Sequence, residues 1–272
     1  MRLLYCGDVV GKAGRKVLKE HLPDLQNRLK LDFVLVNGEN AAHGFGVTSK
    51  IYKEFMDLGV GAVTTGNHAW DQKEMLVEID GLPGMIRPHN YPAGTPGQGA
   101  KVFTVASGRK VLVVQVMGRL FMDPLDDPFA CLEKELSRYK LGAGVDAIMV
   151  DVHAEATSEK MAVGHFLDGR VSLVAGTHTH IPSADAQILP NGTAYQTDVG
   201  MCGDYNSVIG MKKDAAIARF TRKVPGARLE PQDGPATLCA VYVETDDRTG
   251  LAARIEPVRL GGRLIENCPE LV

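Results

Sequence analysis

Short apolar runs alternate with polar, glycine-containing turns along most of the chain, which is the pattern of an α/β protein. Five runs have the composition of buried strands, at residues 3–6, 33–36, 62–63, 148–150 and 173–175. Each is followed closely by Asp, Glu, Asn or His. Because the strands of a buried parallel sheet share a direction, their ends open on one edge, where ligands bind. We therefore predict one active site built from the five strand ends.

The segments between these strands carry apolar residues at helical spacing or are rich in Pro and Gly. Thr48 or Ser49 is predicted to cap the second helix, and Gly59 to end it. The elements predicted here are helices at 17–29, 51–58, 75–79 and 132–139, a surface loop at 91–99, and a hairpin of strands 102–105 and 111–116.

The pattern changes after His180. Residues 194–196, 237–243 and 253–258 have the composition of strands, and no long helix is predicted between them. We interpret these strands as a second sheet packed on the first. Since no linker or internal repeat divides the sequence, residues 1–272 are predicted to form one domain.

Composition limits the kinds of molecule that the protein is expected to bind and the cellular compartment in which it is expected to occur. A net charge of −3 provides no basic surface for duplex nucleic acid, so a small anionic substrate is the better expectation. The five cysteines are scattered and odd in number, which argues against a disulfide framework. We find neither a signal peptide nor an apolar stretch of the ~20 residues that cross a bilayer. A cytoplasmic protein is expected, and exposed strand edges make a homo-oligomer reasonable.

The polar residues at the strand ends have the chemistry of metal ligands. Two divalent cations a few ångströms apart need oxygen and imidazole ligands, with a carboxylate shared between them. Taken singly, these residues have simpler roles, since Asp8 would serve as a helix cap, Glu39 and the asparagines as turn residues, and His153 as a core histidine. Their coincidence at five strand ends favours a metal site. The candidates are Asp8, Glu39, Asn40, Asn67, His153, His178 and His180.

The order of these motifs resembles the calcineurin-like metallophosphoesterase superfamily and, within it, the YmdB-type phosphodiesterases. Two departures from the wider superfamily are shared with that type: Val10 stands where a histidine is usual, and Glu39 where an aspartate is usual. The resemblance covers nearly the whole chain. The matching motifs are Gly7-Asp8-Val9-Val10-Gly11, Asn37-Gly38-Glu39-Asn40, Gly66-Asn67-His68-Ala69-Trp70-Asp71, Asp151-Val152-His153-Ala154-Glu155, Gly176-Thr177-His178-Thr179-His180, Thr197-Asp198-Val199-Gly200-Met201 and Ser207-Val208-Ile209-Gly210.

The resemblance implies a fold, a cofactor and a ligand set. The fold is a four-layer α/β/β/α sandwich of two packed mixed sheets flanked by helices. The cofactor is two metal ions, with Fe or Mn favoured and Zn compatible with the same ligands. Asp8, Glu39, Asn40 and His180 would hold one ion, and Glu39, Asn67, His153 and His178 the other.

The resemblance also implies hydrolysis of phosphodiesters, with 2′,3′-cyclic nucleotides as a favoured class. A hydroxide bridging the two metals would attack phosphorus, and His68 would protonate the leaving alkoxide. Two alternatives remain: a phosphomonoesterase or protein phosphatase on the same metal core, and a metal-bearing regulatory protein with little turnover.

Several residues near these motifs have two interpretations. His43 and Arg87 are candidate substrate contacts, although His43 also suits a loop and Arg87 an exposed salt bridge. Asp198 would either orient a ligand histidine or serve a turn. Cys202 has no adjacent base and is interpreted as a packing residue, and His89 suits loop packing and the rim of the pocket equally.

Overall fold

The structure of the protein, a computed structural model, describes residues 1–222 and 226–270. The helices are α1 (Gly11–Leu29), α2 (Ser49–Asp57), α3 (Met75–Glu78), α4 (Pro128–Leu136), α5 (Thr157–Phe166) and α6 (Lys213–Thr221). The strands are β1 (Arg2–Cys6), β2 (Asp8–Val9), β3 (Phe33–Asn37), β4 (Ala62–Thr64), β5 (Met85–Ile86), β6 (Ala100–Thr104), β7 (Lys110–Met117), β8 (Ala147–His153), β9 (Leu173–Thr177), β10 (Gln187–Ile188), β11 (Ala194–Gln196), β12 (Met201–Cys202), β13 (Leu238–Thr245) and β14 (Ala252–Leu260).

Most of these strands belong to two mixed sheets. The first has the order β14-β13-β1-β3-β4-β5, in which β1, β3, β4 and β5 are parallel, β13 is antiparallel to β1, and β14 is antiparallel to β13. The second has the order β10-β11-β9-β8-β7-β6, in which β7, β8, β9 and β11 are parallel and the two outer strands are antiparallel. The short strands β2 and β12 pair separately, beside the ends of the first sheet.

The two sheets pack face to face, with helices on their outer faces. In β1, Leu4 and Cys6 pack with the buried face of α1, whereas Leu3 and Tyr5 point between the sheets. This alternation follows from the period of two in a strand, which sends neighbouring side chains to opposite faces. The outer face of the second sheet packs against Leu132 of α4 and neighbouring side chains of α5. The predicted four-layer α/β/β/α architecture is confirmed.

The helices on the first sheet form near their predicted positions, except that α1 begins at Gly11 and not at the predicted residue 17. In α2, the Oγ1 atom of Thr48 accepts the N–H of Ile51 at 3.2 Å, so Thr48 is the cap and Ser49 is the first helical residue. Gly59 follows the helix with a φ of 81°, a conformation that favours glycine. None of the helices in the described ranges is both long and apolar enough to cross a membrane.

The assignment of strands to sheets differs from the prediction. The strands after His180 do not form a sheet of their own, because β13 and β14 extend the first sheet beside β1 and β11 joins β9 in the second. The five strand ends likewise come from two sheets. The helix α6, nine residues long, lies between β12 and β13 and was not predicted. It buries little more than Ala216, so its sequence shows no apolar stripe.

Candidate metal centre

The ends of five strands meet where the two sheets pack against each other. In the first sheet, β1, β3 and β4 lead into Asp8, Glu39 and the short helical turn Gly66–His68. In the second, β8 ends in His153 and β9 leads from Thr177 into a turn. A carboxylate oxygen of Glu39 lies 3.1 Å from Nε2 of His153 and so joins the two sheets. The strand ends converge as predicted, but at the seam between two sheets instead of the edge of one.

Two groups of side chains in the described part of the chain have the composition and spacing of metal ligands. One group is Glu39, His153 and His178, and the other is Asp8, Glu39 and His180. Within each group the ligand atoms lie within 4.8 Å of one another. Glu39 belongs to both groups, and a carboxylate has two oxygens with which to serve both at once. The arrangement suits two neighbouring cations with one shared ligand.

Two asparagine side chains adjoin these groups. The Oδ1 atom of Asn67 lies 2.8 Å from Nε2 of His153, and the Oδ1 atom of Asn40 lies 3.2 Å from Nε2 of His180. The amide nitrogen of Asn40 donates to the carbonyl of Gly44 at 3.0 Å, which leaves its oxygen facing the site. The structure therefore brings together all seven side chains that the sequence nominates as ligands.

Hydrogen bonds determine which ring nitrogen carries the proton in two of the histidines. Nδ1 of His180 lies 2.8 Å from the carbonyl oxygen of Ile209, which can only accept, so Nε2 presents its lone pair. Nδ1 of His153 lies 2.8 Å from the hydroxyl of Thr177, and that hydroxyl donates its proton to Asp151 at 2.7 Å. The hydroxyl oxygen therefore accepts the proton of Nδ1, and Nε2 of His153 presents its lone pair. Burial lowers the pKa of His180 and lowers that of His153 to about 3, so both rings are neutral near pH 7.

The buried carboxylates provide a test of whether this site fits metal ions. Oδ1 of Asp8 is buried without a hydrogen-bond partner among the described residues, and Oδ2 accepts the N–H of His178 at 3.3 Å. Burial, followed by the negative charge of Glu39, raises the pKa of Asp8, and burial raises the pKa of Glu39. Cations between two such groups offset both the repulsion and the cost of burial. The residues present fit a metal centre.

A buried polar network beneath the site connects the two sheets. The side-chain oxygen of Gln115 accepts the N–H groups of Thr65 and Gly66 at 3.3 and 3.2 Å, and its nitrogen donates to Asp151 at 2.6 Å. Asp151 also accepts the hydroxyl proton of Thr177. Neither Gln115 nor Thr177 was singled out from the sequence as a functional residue, although Thr177 lies in the Gly176–His180 motif. The available signal was Gln115 itself, a polar residue inside the apolar run of β7.

The close approach of Gly66 to two ligand residues gives a testable prediction. Its φ is 59°, and an added Cβ would overlap Glu39 and His153. Gly66→Ala should therefore displace both ligands and lower the metal content of the purified protein by at least half, as measured by elemental analysis. Gly81→Ala is the matched control, because a Cβ at Gly81 meets nothing within 4 Å. Equal metal content in both variants would contradict this role of Gly66.

His68, the predicted proton donor, lies beside the two ligand groups. Its backbone N–H donates to Oε2 of Glu39 at 3.1 Å, and its Nδ1 lies 2.8 Å from a carboxylate oxygen of Asp71. The ring packs edge-on against Phe45 at a centroid distance of 5.2 Å. The side chain is 25% exposed, so the ring is accessible from solvent. Asp71 was not singled out from the sequence, although it lies in the same motif.

The two candidate substrate contacts have different surroundings. Arg87 is buried, and its guanidinium donates to the carbonyls of Pro88, Thr95, Pro96 and Gly97 at 2.7 to 3.3 Å. These bonds hold the 88–97 loop, so the geometry supports neither the predicted phosphate contact nor an exposed salt bridge.

His43 is exposed and has a φ of 55°. It lines a cleft beside Lys12, Lys212 and Arg228, next to the loop that carries Asn40. Among the described residues, no hydrogen bond or ion pair joins the His43 side chain to the seven ligand candidates, so its role in substrate binding stays a prediction.

The structure shows the contacts of the three other residues whose roles the sequence left open, Asp198, Cys202 and His89. Asp198 bonds to the backbone and hydroxyl of Thr179 and not to a histidine ring, at 3.2 and 2.7 Å. Cys202 is buried in β12, and burial raises the pKa of its thiol, which agrees with a packing role. Nε2 of His89 lies 3.4 Å from a carboxylate oxygen of Glu135, away from the seven candidates.

The chain is similar to known proteins over nearly its whole length. The sequence pattern of the YmdB-like proteins matches residues 4–258. The 2′,3′-cyclic-nucleotide 2′-phosphodiesterase of Bacillus subtilis is 46% identical over 258 residues, covering 95% of this chain and 96% of that protein. A crystal structure of a hypothetical protein from Thermus thermophilus has a TM-score of 0.89 at 45% identity, covering 96% of this chain and 100% of that one.

A more distant structure shares the fold alone. The calcineurin-like phosphoesterase YfkN from Bacillus subtilis has a TM-score of 0.54 at 13% identity, covering 95% of this chain and 90% of that one. Two packed mixed sheets with a cluster of carboxylates and histidines at their seam place the chain in the class of proteins that have the calcineurin-like phosphoesterase fold. Within that class, the chain belongs to the YmdB-like family.

Proposed function

We propose that the protein is a dinuclear-metal phosphodiesterase. The observation that carries the proposal is that two groups of ligand atoms share the carboxylate of Glu39. A shared carboxylate offsets the repulsion between two cations that are held a few ångströms apart. The neutral rings of His153 and His180, each with Nε2 turned toward oxygen atoms of the site, support the same arrangement.

In this proposal each ion has four protein ligands. Asp8, Glu39, Asn40 and His180 would hold one ion, and Glu39, Asn67, His153 and His178 would hold the other. The oxygen of Asn40 takes the position that Val10 cannot fill, since a valine offers no ligand atom. Carboxylate, amide and imidazole ligands without a thiolate favour Fe or Mn and are compatible with Zn.

The chain supplies the proton-transfer chemistry through His68. When bound, the cations supply Lewis acidity toward the phosphoryl oxygens and lower the pKa of water toward ~7. His68 then gives a proton to the departing oxygen, which would otherwise leave as an alkoxide. Asp71, 2.8 Å from Nδ1, orients the ring and leaves Nε2 as the nitrogen that gives the proton to the substrate. The backbone bond from His68 to Glu39 keeps this donor beside the metal ligands.

The proposed substrate class is small phosphodiesters, in particular 2′,3′-cyclic nucleotides. The name of the Bacillus subtilis relative, which matches over 95% of this chain, supports this class. A cyclic phosphodiester has one negative charge and an alkoxide leaving group, which suits a cationic centre beside a proton donor.

The test is a comparison of diesters with monoesters. We expect kcat/KM for 2′,3′-cyclic AMP to exceed that for 3′-AMP by at least about 100-fold, or ~2.7 kcal/mol of transition-state stabilisation. Products are identified by chromatography, and bis(p-nitrophenyl) phosphate is compared with p-nitrophenyl phosphate in parallel. The Glu39→Gln variant, purified in the same way, controls for contaminating phosphatases. Faster hydrolysis of the monoesters would replace this proposal with a phosphomonoesterase.

A further inference from the structure

A buried ion pair lies outside the set of proposed ligands. Nζ of Lys160, on α5, is 2.8 Å from Oδ2 of Asp198, and their side chains are 1% and 2% exposed. Removing two opposite charges from water is costly, and a pair of apolar residues would fill the same space without that cost. A buried ion pair is therefore weak evidence for a gain in stability, and the backbone that it holds in place is the better indication of its role.

The pair holds the turn between two ligand histidines. Oδ2 of Asp198 accepts the backbone N–H of Thr179 at 3.2 Å and its hydroxyl at 2.7 Å, in addition to the ammonium of Lys160. Oδ1 of the same carboxylate accepts the N–H of Gly200 at 2.8 Å. Thr179 stands directly between His178 and His180, so its anchoring acts on both neighbours.

The backbone of this turn adopts a conformation that histidine rarely takes. The φ angles of His178 and His180 are 96° and 68°, both in the left-handed region that favours glycine. In an extended strand, residues two apart face the same side. Here Nδ1 of His178 lies 3.1 Å from His153, whereas Nε2 of His180 lies 3.2 Å from Asn40. The turn thus sends the two rings to different ligand groups.

The stem of Lys160 also contacts the strand that leads into the turn. A Cβ added to Gly176 of β9 would lie 2.7 Å from Cδ of Lys160, so the lysine chain packs directly on the glycine backbone. Thr177 and the turn follow at once along the chain. Lys160 of helix α5 therefore provides the positive charge of the ion pair and also packs against β9 just before the ligand histidines.

We propose that Lys160 and Asp198 are positioning residues that hold the 178–180 turn in its strained conformation, so that each imidazole faces its own metal ion. The proposal rests on the two-metal function proposed above. The ammonium compensates the buried carboxylate, and the carboxylate holds Thr179 by two hydrogen bonds. Without this anchor the turn relaxes toward ordinary backbone angles, and both rings leave their ligand groups.

The experiment measures metal binding directly, with no need for turnover. Chelator-treated full-length protein is titrated with Mn²⁺ by isothermal calorimetry, in the parent and in Thr179→Val and Thr179→Ser. Valine keeps the shape of threonine and removes the hydroxyl bond to Asp198, whereas serine keeps the hydroxyl. We expect Thr179→Val to weaken Mn²⁺ binding about 10- to 100-fold, the range found when groups that orient metal ligands are removed. Thr179→Ser should stay within about 3-fold of the parent.

A second variant tests the ion pair itself. Lys160→Met combined with Asp198→Asn removes both charges together and so avoids leaving one charge buried alone. We expect it to weaken Mn²⁺ binding at least as much as Thr179→Val, with the thermal unfolding of each metal-free protein recorded alongside. A merely structural role would change the unfolding temperature and leave Mn²⁺ affinity unchanged in both variants, which would overturn the inference. A parent protein that binds fewer than two Mn²⁺ ions would instead overturn the proposed function on which it rests.

Discussion

Glu39→Gln is expected to lower kcat by more than about 10³-fold, equivalent to at least ~4 kcal/mol of transition-state stabilisation. Glu39 is the side chain common to both ligand groups, so the substitution removes one negative charge from the surroundings of two cations at once. Glutamine has nearly the same shape and retains an oxygen that can accept the N–H of His68. The loss should therefore come from metal binding and not from unfolding.

Thermal unfolding with and without Mn²⁺ separates these causes. Parent protein should unfold at a higher temperature when Mn²⁺ is added, because a ligand that binds the folded state stabilises it. The Glu39→Gln protein should unfold at or above the temperature of the metal-free parent, since burying a neutral amide costs less than burying a carboxylate, and should gain little from Mn²⁺. Glu20→Gln, on the exposed face of α1, is the control and should behave like the parent. Full activity in Glu39→Gln would exclude the shared-ligand mechanism.

His68→Ala is expected to slow hydrolysis of 2′,3′-cyclic AMP by about 10²- to 10⁴-fold, the usual contribution of a positioned general acid. An alkoxide needs a proton as it leaves, whereas p-nitrophenolate is stable without one. The same variant should therefore lose less than about 10-fold on bis(p-nitrophenyl) phosphate. Metal content should be unchanged, because His68 contacts Glu39 through its backbone N–H, which alanine retains.

The partner of His68 provides an independent check on this role. Asp71→Asn keeps a hydrogen-bond acceptor beside Nδ1 and removes the carboxylate that orients the ring. It should show the same dependence on the leaving group as His68→Ala, with a smaller loss. An equal loss on both substrates in either variant would show that His68 positions the site and does not donate the proton.

The sequence was sufficient to predict the longer strands and to nominate the candidate ligands, although the two-residue strands β5, β10 and β12 were not predicted. The continuous apolar runs at residues 3–6 and 33–36 predict strands that are buried on both faces, and the structure has β1 and β3 there. The seven polar residues are recognisable because they recur at all five strand ends, although each one alone also suits a helix cap, a turn or the core. These are local properties of the chain, and a local pattern is enough to show them.

Assignment of the strands to two sheets could not be predicted from the same pattern. β13 is buried on both faces like β1, but the sequence of residues 238–245 does not indicate that β13 pairs with the N-terminal strand β1. Pairing between distant strands depends on which faces and edges remain free after the rest of the chain has folded. For the same reason, the surroundings of Arg87 could not be predicted: the four carbonyls that bind its guanidinium come together only when the 88–97 loop closes around it.

By itself, the sequence determined an α/β protein with seven ligand candidates at the ends of five strands. The spacing of apolar residues and the types of polar residue are local properties that the sequence shows directly. Only the tertiary structure decided that Glu39 stands between two groups of ligands, that Thr177 and Ile209 hold the rings of His153 and His180, and that Lys160 reaches Asp198. These contacts join residues far apart in sequence. They depend on distances of a few ångströms, which the packing of one sheet on the other sets.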